Sequence, residues 1–225
     1  MQVRNWLYGY GVCALMHLFA IAADLYWLRI ITKPLLMIFL LVWFLSATPT
    51  ISTGKKHFIT AAIFFSWLGD LFLMRSGELY FIAGLVSFLI AHLFFILFFL
   101  WARVATLTQT PLNTGVILVL LVYVGVFYYY LSPHLNYTLK IPVLVYALVI
   151  ASMFAAACHS FRKQGGVLIG AGLFIVSDSL LAVNSFVKPF PLASLAVMIT
   201  YILAQVLIVY GVTGWFETTK RYFSI

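Results

Sequence analysis

Apolar residues in this chain come in long unbroken runs, with neither the strict alternation of a half-buried strand nor the narrow stripe of a surface helix. Eight runs can be read, at 7–27, 31–47, 57–74, 79–101, 114–131, 140–159, 166–186 and 191–214. Each is close to the roughly 20 residues that a helix needs to cross the hydrocarbon core of a bilayer. Between them lie short stretches with turn and breaker residues: "SATPTISTGKK", "RSGE", "RVATLTQTPLN", "SPHLNYT", "FRKQGG" and "VKPFP". The pattern predicts an all-α polytopic membrane protein of about eight transmembrane helices, with residues 1–225 forming one transmembrane domain. The first run contains Asp24 and lacks a small-residue cleavage site, so it reads as a retained helix.

The runs also suggest a duplication. "TKPLLMIFLLV" and "KIPVLVYALVI" each place proline third, and Pro34 and Pro142 are offset by 108 residues, as are Asp70 and Asp178. "FLIAH", ending at His92, resembles "YILAQ", ending at Gln205, at the slightly larger offset of 113. Repeat halves 1–110 and 111–225 would form a 4+4 parallel internal repeat, setting Asp70 and Asp178 across a pseudo-twofold axis along the membrane normal.

Composition leaves little room for anything outside the bilayer. Of 225 residues, 65% are hydrophobic and 8% charged, and the mean hydropathy is +1.12. The net charge of +8 comes from Lys and Arg placed singly or in pairs between the apolar runs, which fits loop charges that orient the protein and not a nucleic-acid surface. With the N-terminus inside, Arg4, Lys55, Lys56, Arg103, Arg162, Lys163, Lys220 and Arg221 fall on the cytoplasmic side, eight against five for Arg29, Lys33, Arg75, Lys140 and Lys188. The expectation is a multi-pass protein of the bacterial inner membrane with both termini cytoplasmic. Cys13 and Cys158 sit inside apolar runs and form no framework or metal motif.

Against this background the polar residues inside the spans stand out. Asp70 and Asp178 lie about 13 and 12 residues into their spans, so at about 1.5 Å per residue both sit roughly 18–20 Å from the cytoplasmic face. Membrane-embedded carboxyls are costly and usually face a bundle interior or a wet cavity. Two at one depth can divide into general acid and general base. Asp24, Lys33, Tyr146 and Asn184 gather toward the same half of the bilayer, and His92, Tyr201 and Gln205 nearer its middle. Ser66 precedes Asp70 by four residues and shares its helical face. His17, His57, His92, His134 and His159 are scattered singly, with no H-x-x-x-H or H-E-x-x-H pair, so no metal or other cofactor is expected. No G-x-S-x-G elbow or phosphate-binding glycine loop occurs. "FYYY" at 127–130 reads as an interfacial aromatic belt.

Five stretches, "TKPLL", "SWLGDLFLM", "GLVSFLIAHLFF", "VSDSLLA" and "YILAQVLIVYG", occur in order between about residues 30 and 212. Together they resemble the YhhN-like family, whose characterised members are lysoplasmalogenases. The resemblance implies an eight-helix integral membrane hydrolase. Its lysophospholipid substrate would lose its vinyl ether bond, releasing a fatty aldehyde and glycerophosphocholine or glycerophosphoethanolamine. Family positions carried over onto this sequence are Lys33, Asp70, His92, Asp178, Tyr201 and Gln205.

That reaction suits a pair of carboxyls. An enol ether hydrolyses by protonation at the carbon beta to oxygen, and water captures the resulting oxocarbenium ion. One acid must donate and one base must activate water, much as in glycoside hydrolysis. Asp70 and Asp178 would share these tasks, His92 and Gln205 would orient water or the ether oxygen, Lys33 would hold the phosphate, and an apolar cavity would take the single tail. Two other classes fit the same residues: a transporter coupling protons to a solute through its intramembrane carboxyls, and a membrane protein that binds lysolipid without chemistry. Oligomeric state is not legible in the sequence.

Overall fold

The computed structural model describes residues 3–49, 54–105, 113–162 and 164–223, the last four of these by backbone alone. Lys163 and the side chains of Lys220 and Arg221, three of the charges that set the topology expectation, lie outside it, as do positions 50–53 and 106–112 of two connections. Among the described residues there are eight α-helices and no strand: α1 (Val3–Ala22), α2 (Tyr26–Ala47), α3 (Lys56–Leu73), α4 (Glu78–Ala105), α5 (Thr114–Leu131), α6 (Tyr137–Ser160), α7 (Gly165–Ala182) and α8 (Ala193–Phe223). All eight are long and apolar enough to cross a membrane. Helices satisfy their own backbone polar groups, which is what lets such apolar runs exist away from water.

The ends differ from the hydrophobic pattern where polar chemistry intervenes. The first apolar run extends to residue 27, but α1 stops at Ala22, and Asp24 takes a left-handed backbone (φ 53°) in the turn, a conformation that a short polar side chain tolerates better than most. Asp24 is thus exposed and ion-paired to Arg29, not held at the outer end of a span. α2 begins five residues earlier than its apolar run and takes in Arg29, so Pro34 lies well inside the helix, as Pro142 does in α6. α7 runs on into a π-helical turn, Val183–Val187, which carries Asn184. α8 continues past residue 214 to Phe223.

α3 packs along α4 and α7 along α8 as hairpins, while α4 against α6 joins the two groups and α2 packs on α3. Glycines make the hairpins tight. A Cβ on Gly69 would lie 2.6 Å from the Phe88 ring, and one on Gly84 would lie 2.8 Å from Leu73. On the other hairpin a Cβ on Gly170 would meet Ala204 O and Ile208 N at 2.9 Å, and one on Gly211 would meet Val167 at 2.5 Å. Small residues that let backbones approach in this way drive helix association in lipid, where burial of apolar side chains drives little. Since the atoms facing Gly170 are mostly backbone, Gly170→Ala is expected to part the helices at a cost of about 1–3 kcal/mol. A thermal melt in detergent should show the loss; Gly214→Ala, where no described atom lies within 4 Å of the added Cβ, should not lower the melt and should raise it slightly, since alanine favours the helix by up to about 1 kcal/mol.

Away from these hairpin turns the core is aromatic. Phe98, Phe99, Phe161, Trp215 and Phe216 interlock, with Phe98 and Phe216 ring centroids 5.3 Å apart. Such a plug is dry and densely packed. α5 is peripheral, and Leu118, Val119, Val122 and Val126 are exposed along it, as lipid-facing residues should be. At its end Tyr129 and Tyr130 are exposed, whereas Phe127 turns inward to line a cavity.

Candidate active site

α3 and α7 bring Asp70 and Asp178 about 20 Å from the first residue of each helix and into one cavity of about 200 Å³ near the hairpin-turn end of the bundle. Lys33, Asn184 and Tyr201 line it with them. Asp70 is 2% exposed. Its Oδ1 lies 3.5 Å from Lys33 Nζ, and its Oδ2 accepts a 2.7 Å hydrogen bond from Tyr201 OH. Gln205 Nε2, one turn along α8, donates to Tyr201 OH at 3.4 Å, so a short chain of donors ends on the carboxylate. Asp178 has a different shell: Tyr146 OH donates to its Oδ2, and no cation lies within ion-pair distance among the described residues. The two carboxyls therefore share a cavity but not an environment.

The remaining predicted residues stand around this pair. Gly69 lets the Phe88 ring lie against the backbone just before Asp70, and that ring meets Tyr201 edge-on at 5.8 Å. His92 does not reach either carboxyl. Its Nδ1 donates to Phe88 O in its own helix, which leaves Nε2 an acceptor, buried and without a partner among the described residues. The ring packs edge-on against Tyr146 at 5.5 Å and Phe174 at 4.6 Å, so His92 buttresses the tyrosine that holds Asp178. Ser66 is fully buried one turn from Asp70, its Oγ likewise unpartnered among the described residues. Asn184 Oδ1 accepts from Phe190 N at 3.4 Å, bracing the turn that leads to α8.

A second, almost wholly apolar cavity opens between α4, α5, α6 and α7 and meets the first at Leu73, Phe88, Asp178 and Leu181. Tyr123 and Ser179, hydrogen-bonded to each other, lie on its wall. A third cavity, beside α1 and α2, adjoins the carboxyl cavity through Lys33, Leu73, Ser194 and Met198. Its His17 and Arg29 were not read as site residues. Arg29 stands four positions before Lys33 and so shares its helical face, a spacing visible in the sequence. The partnership of His17 with Thr32 of α2 has no such local signature. Among the described residues no group of three or more His, Cys, Asp or Glu is arranged to hold a metal ion.

The arrangement sets two carboxyls with different partners beside an almost wholly apolar cavity, and the chain is similar to known proteins. Lysoplasmalogenase TMEM86B of Sus scrofa is 34% identical over 92% of this chain and 86% of its own length. Lysoplasmalogenase TMEM86B of Mus musculus is 30% identical over the same shares, and lysoplasmalogenase TMEM86A of Bos taurus is 30% identical over 83% of this chain and 77% of its own. No solved structure matches significantly. The profile of the YhhN family matches residues 28–212, a stretch that holds both aspartates, Lys33, Tyr146 and Tyr201. The chain is an integral, multi-pass membrane protein, and it belongs to the YhhN family.

Proposed function

We propose that this protein is a lysoplasmalogenase, hydrolysing the vinyl ether bond of an alkenyl lysophospholipid to a fatty aldehyde and the glycerophospho-headgroup, with Asp70 and Asp178 as the catalytic pair. The observation that carries this reading is that one carboxyl is ion-paired to Lys33 and bonded by Tyr201 while the other, on the same cavity, has among the described residues only a tyrosine and borders the apolar slot. Asp70 takes the ionised role and Asp178 the acid role. Asp178 gives its proton to the carbon beta to the ether oxygen, and the carboxylate of Asp70 stabilises the oxocarbenium ion and then accepts a proton from the attacking water. As the hemiacetal collapses, Asp70 returns that proton to the glycerol oxygen and Asp178 takes the hemiacetal hydroxyl proton, which restores both groups. Positioned proton transfers of this kind contribute about 10² to 10⁴ in rate. Tyr146 and Tyr201 hold the two carboxyls, Gln205 orients Tyr201, His92 backs Tyr146, and Lys33 meets the phosphate at the edge of the cavity.

Two finer points belong to the same proposal. The offset of 108 residues between the aspartates and the glycine-tightened packing of both α3 on α4 and α7 on α8 support a 4+4 duplication within one transmembrane domain. The excess of Lys and Arg at the opposite ends of the helices supports cytoplasmic termini, which sets the carboxyl pair toward the outer leaflet.

Purified protein incubated with alkenyl lysophosphatidylethanolamine should release free aldehyde with no added metal. Movement of intact lipid across liposomes without aldehyde would identify a transporter instead. Tyr201→Phe removes one donor from the Asp70 carboxylate but keeps the ring packed on Phe88; kcat is expected to fall about tenfold, the worth of one hydrogen bond to a charged group, with KM little changed.

A further inference from the structure

The cavity beside the carboxyl pair, about 240 Å³, is lined by Lys33 and by His17, Tyr26, Arg29, Ser194 and Met198 among others, and of these His17 and Arg29 have no part in the hydrolytic step. Arg29 and Lys33 present two cations one helical turn apart on α2. Arg29 pairs with the exposed Asp24 through one terminal nitrogen, while its Nε is buried with no partner among the described residues. A guanidinium and an ammonium converging on one cavity suit a phosphate.

His17 adds a different requirement. Thr32 Oγ1 donates its single proton to Leu28 O at 2.7 Å, so its contact with His17 Nδ1 at 2.8 Å must be one in which the imidazole donates and the hydroxyl accepts. That bond fixes the tautomer of the neutral ring, and with His17 on the cavity wall the nitrogen that Thr32 does not engage is Nε2, a lone-pair acceptor. Two cations and one acceptor beside a reactive carboxyl pair call for an anion with a nearby hydroxyl donor. A lysolipid carries both, in the right order. Its phosphate is on the third glycerol carbon, a free hydroxyl on the second and the ether oxygen on the first.

We propose that this cavity is the headgroup subsite, with Arg29 and Lys33 holding the phosphate and His17 Nε2 accepting a hydrogen bond from the free hydroxyl of the middle glycerol carbon, so that His17 selects the one-chain lipid. The assignment rests on the hydrolase reading for the direction in which the lipid lies. In a lipid acylated at that carbon the donor is gone and an ester with its chain occupies its place. A site built to bond a hydroxyl discriminates against a ligand lacking it because its own acceptor is then left unpaired.

Binding can be read without turnover by titrating a saturated 1-O-alkyl lysophosphatidylethanolamine, which has no vinyl ether to cleave, and its 2-deoxy analogue into nanodisc-embedded protein. Wild type should bind the hydroxyl form about tenfold more tightly than the deoxy form. His17→Leu should lose the preference, binding the deoxy lipid at least as tightly as the hydroxyl form, and Arg29→Gln should lose about tenfold on both while keeping their ratio. Equal binding of the two lipids by wild type would overturn the proposal with no variant needed, and so would full discrimination retained by His17→Leu. A wild-type protein that discriminates in binding yet releases no aldehyde from the vinyl ether lipid would instead overturn the hydrolase reading and leave the subsite standing.

Discussion

Asp70→Asn and Asp178→Asn are each expected to lower aldehyde release by about 10²- to 10⁴-fold while leaving the protein folded. Asparagine keeps the shape of the side chain and one carbonyl oxygen, so Tyr201 and Tyr146 retain an acceptor at Asp70 and Asp178 respectively. What the amide lacks is the exchangeable acid proton at one position and the basic oxygen at the other. Because the proposed cycle passes a proton through both carboxyls in both halves of the reaction, the double variant should be little slower than either single one, as happens when residues act as a unit. The measurement is single-turnover aldehyde release alongside a thermal melt and a size-exclusion profile. Substantial turnover in both single variants, with wild-type melts, would remove the mechanism.

Much of the frame could be read from residue pattern, and the exceptions have physical causes. The eight helices follow from apolar runs too long for anything but a span, and the depth match of Asp70 and Asp178 follows from counting along two of them. That the two acids face one cavity follows from tertiary packing, which periodicity in helices apolar on most faces does not specify. Helix ends differ from the apolar runs where a polar residue belongs to a helix or leaves it: Arg29 sits inside α2 with its guanidinium paired to Asp24, and Asp24 leaves α1 for a left-handed turn. His92 shows the limit for single residues. Its position near the middle of a span does not say which groups it meets: its Nδ1 bonds its own helix backbone and its ring packs on Tyr146 and Phe174, while its Nε2 is buried without a partner among the described residues. His17 is the converse case, since its significance lies in a hydrogen bond to Thr32 and in a cavity wall shared with Arg29 and Lys33, neither of which has a local sequence signature.

The apolar slot makes the second large prediction, because it separates binding of the chain from the chemistry. Ala147 follows the tyrosine that holds Asp178 and lines the slot together with Val143, Ile150 and Phe127. Ala147→Phe fills space there without touching the cavity of the carboxyl pair, whose lining does not include Ala147. If the added ring excludes about four methylenes of the alkenyl chain, the loss at about 0.8 kcal/mol per methylene is about 3 kcal/mol, or roughly a hundredfold or more in kcat/KM. The penalty should appear for long-chain lipids only. A substrate whose chain is too short to reach the added ring should be turned over within about threefold of wild type, so the plot of log kcat/KM against chain length should rise for wild type and flatten for the variant. A uniform loss at every chain length would place the tail elsewhere and would mean that the new ring disturbs Tyr146 and through it Asp178.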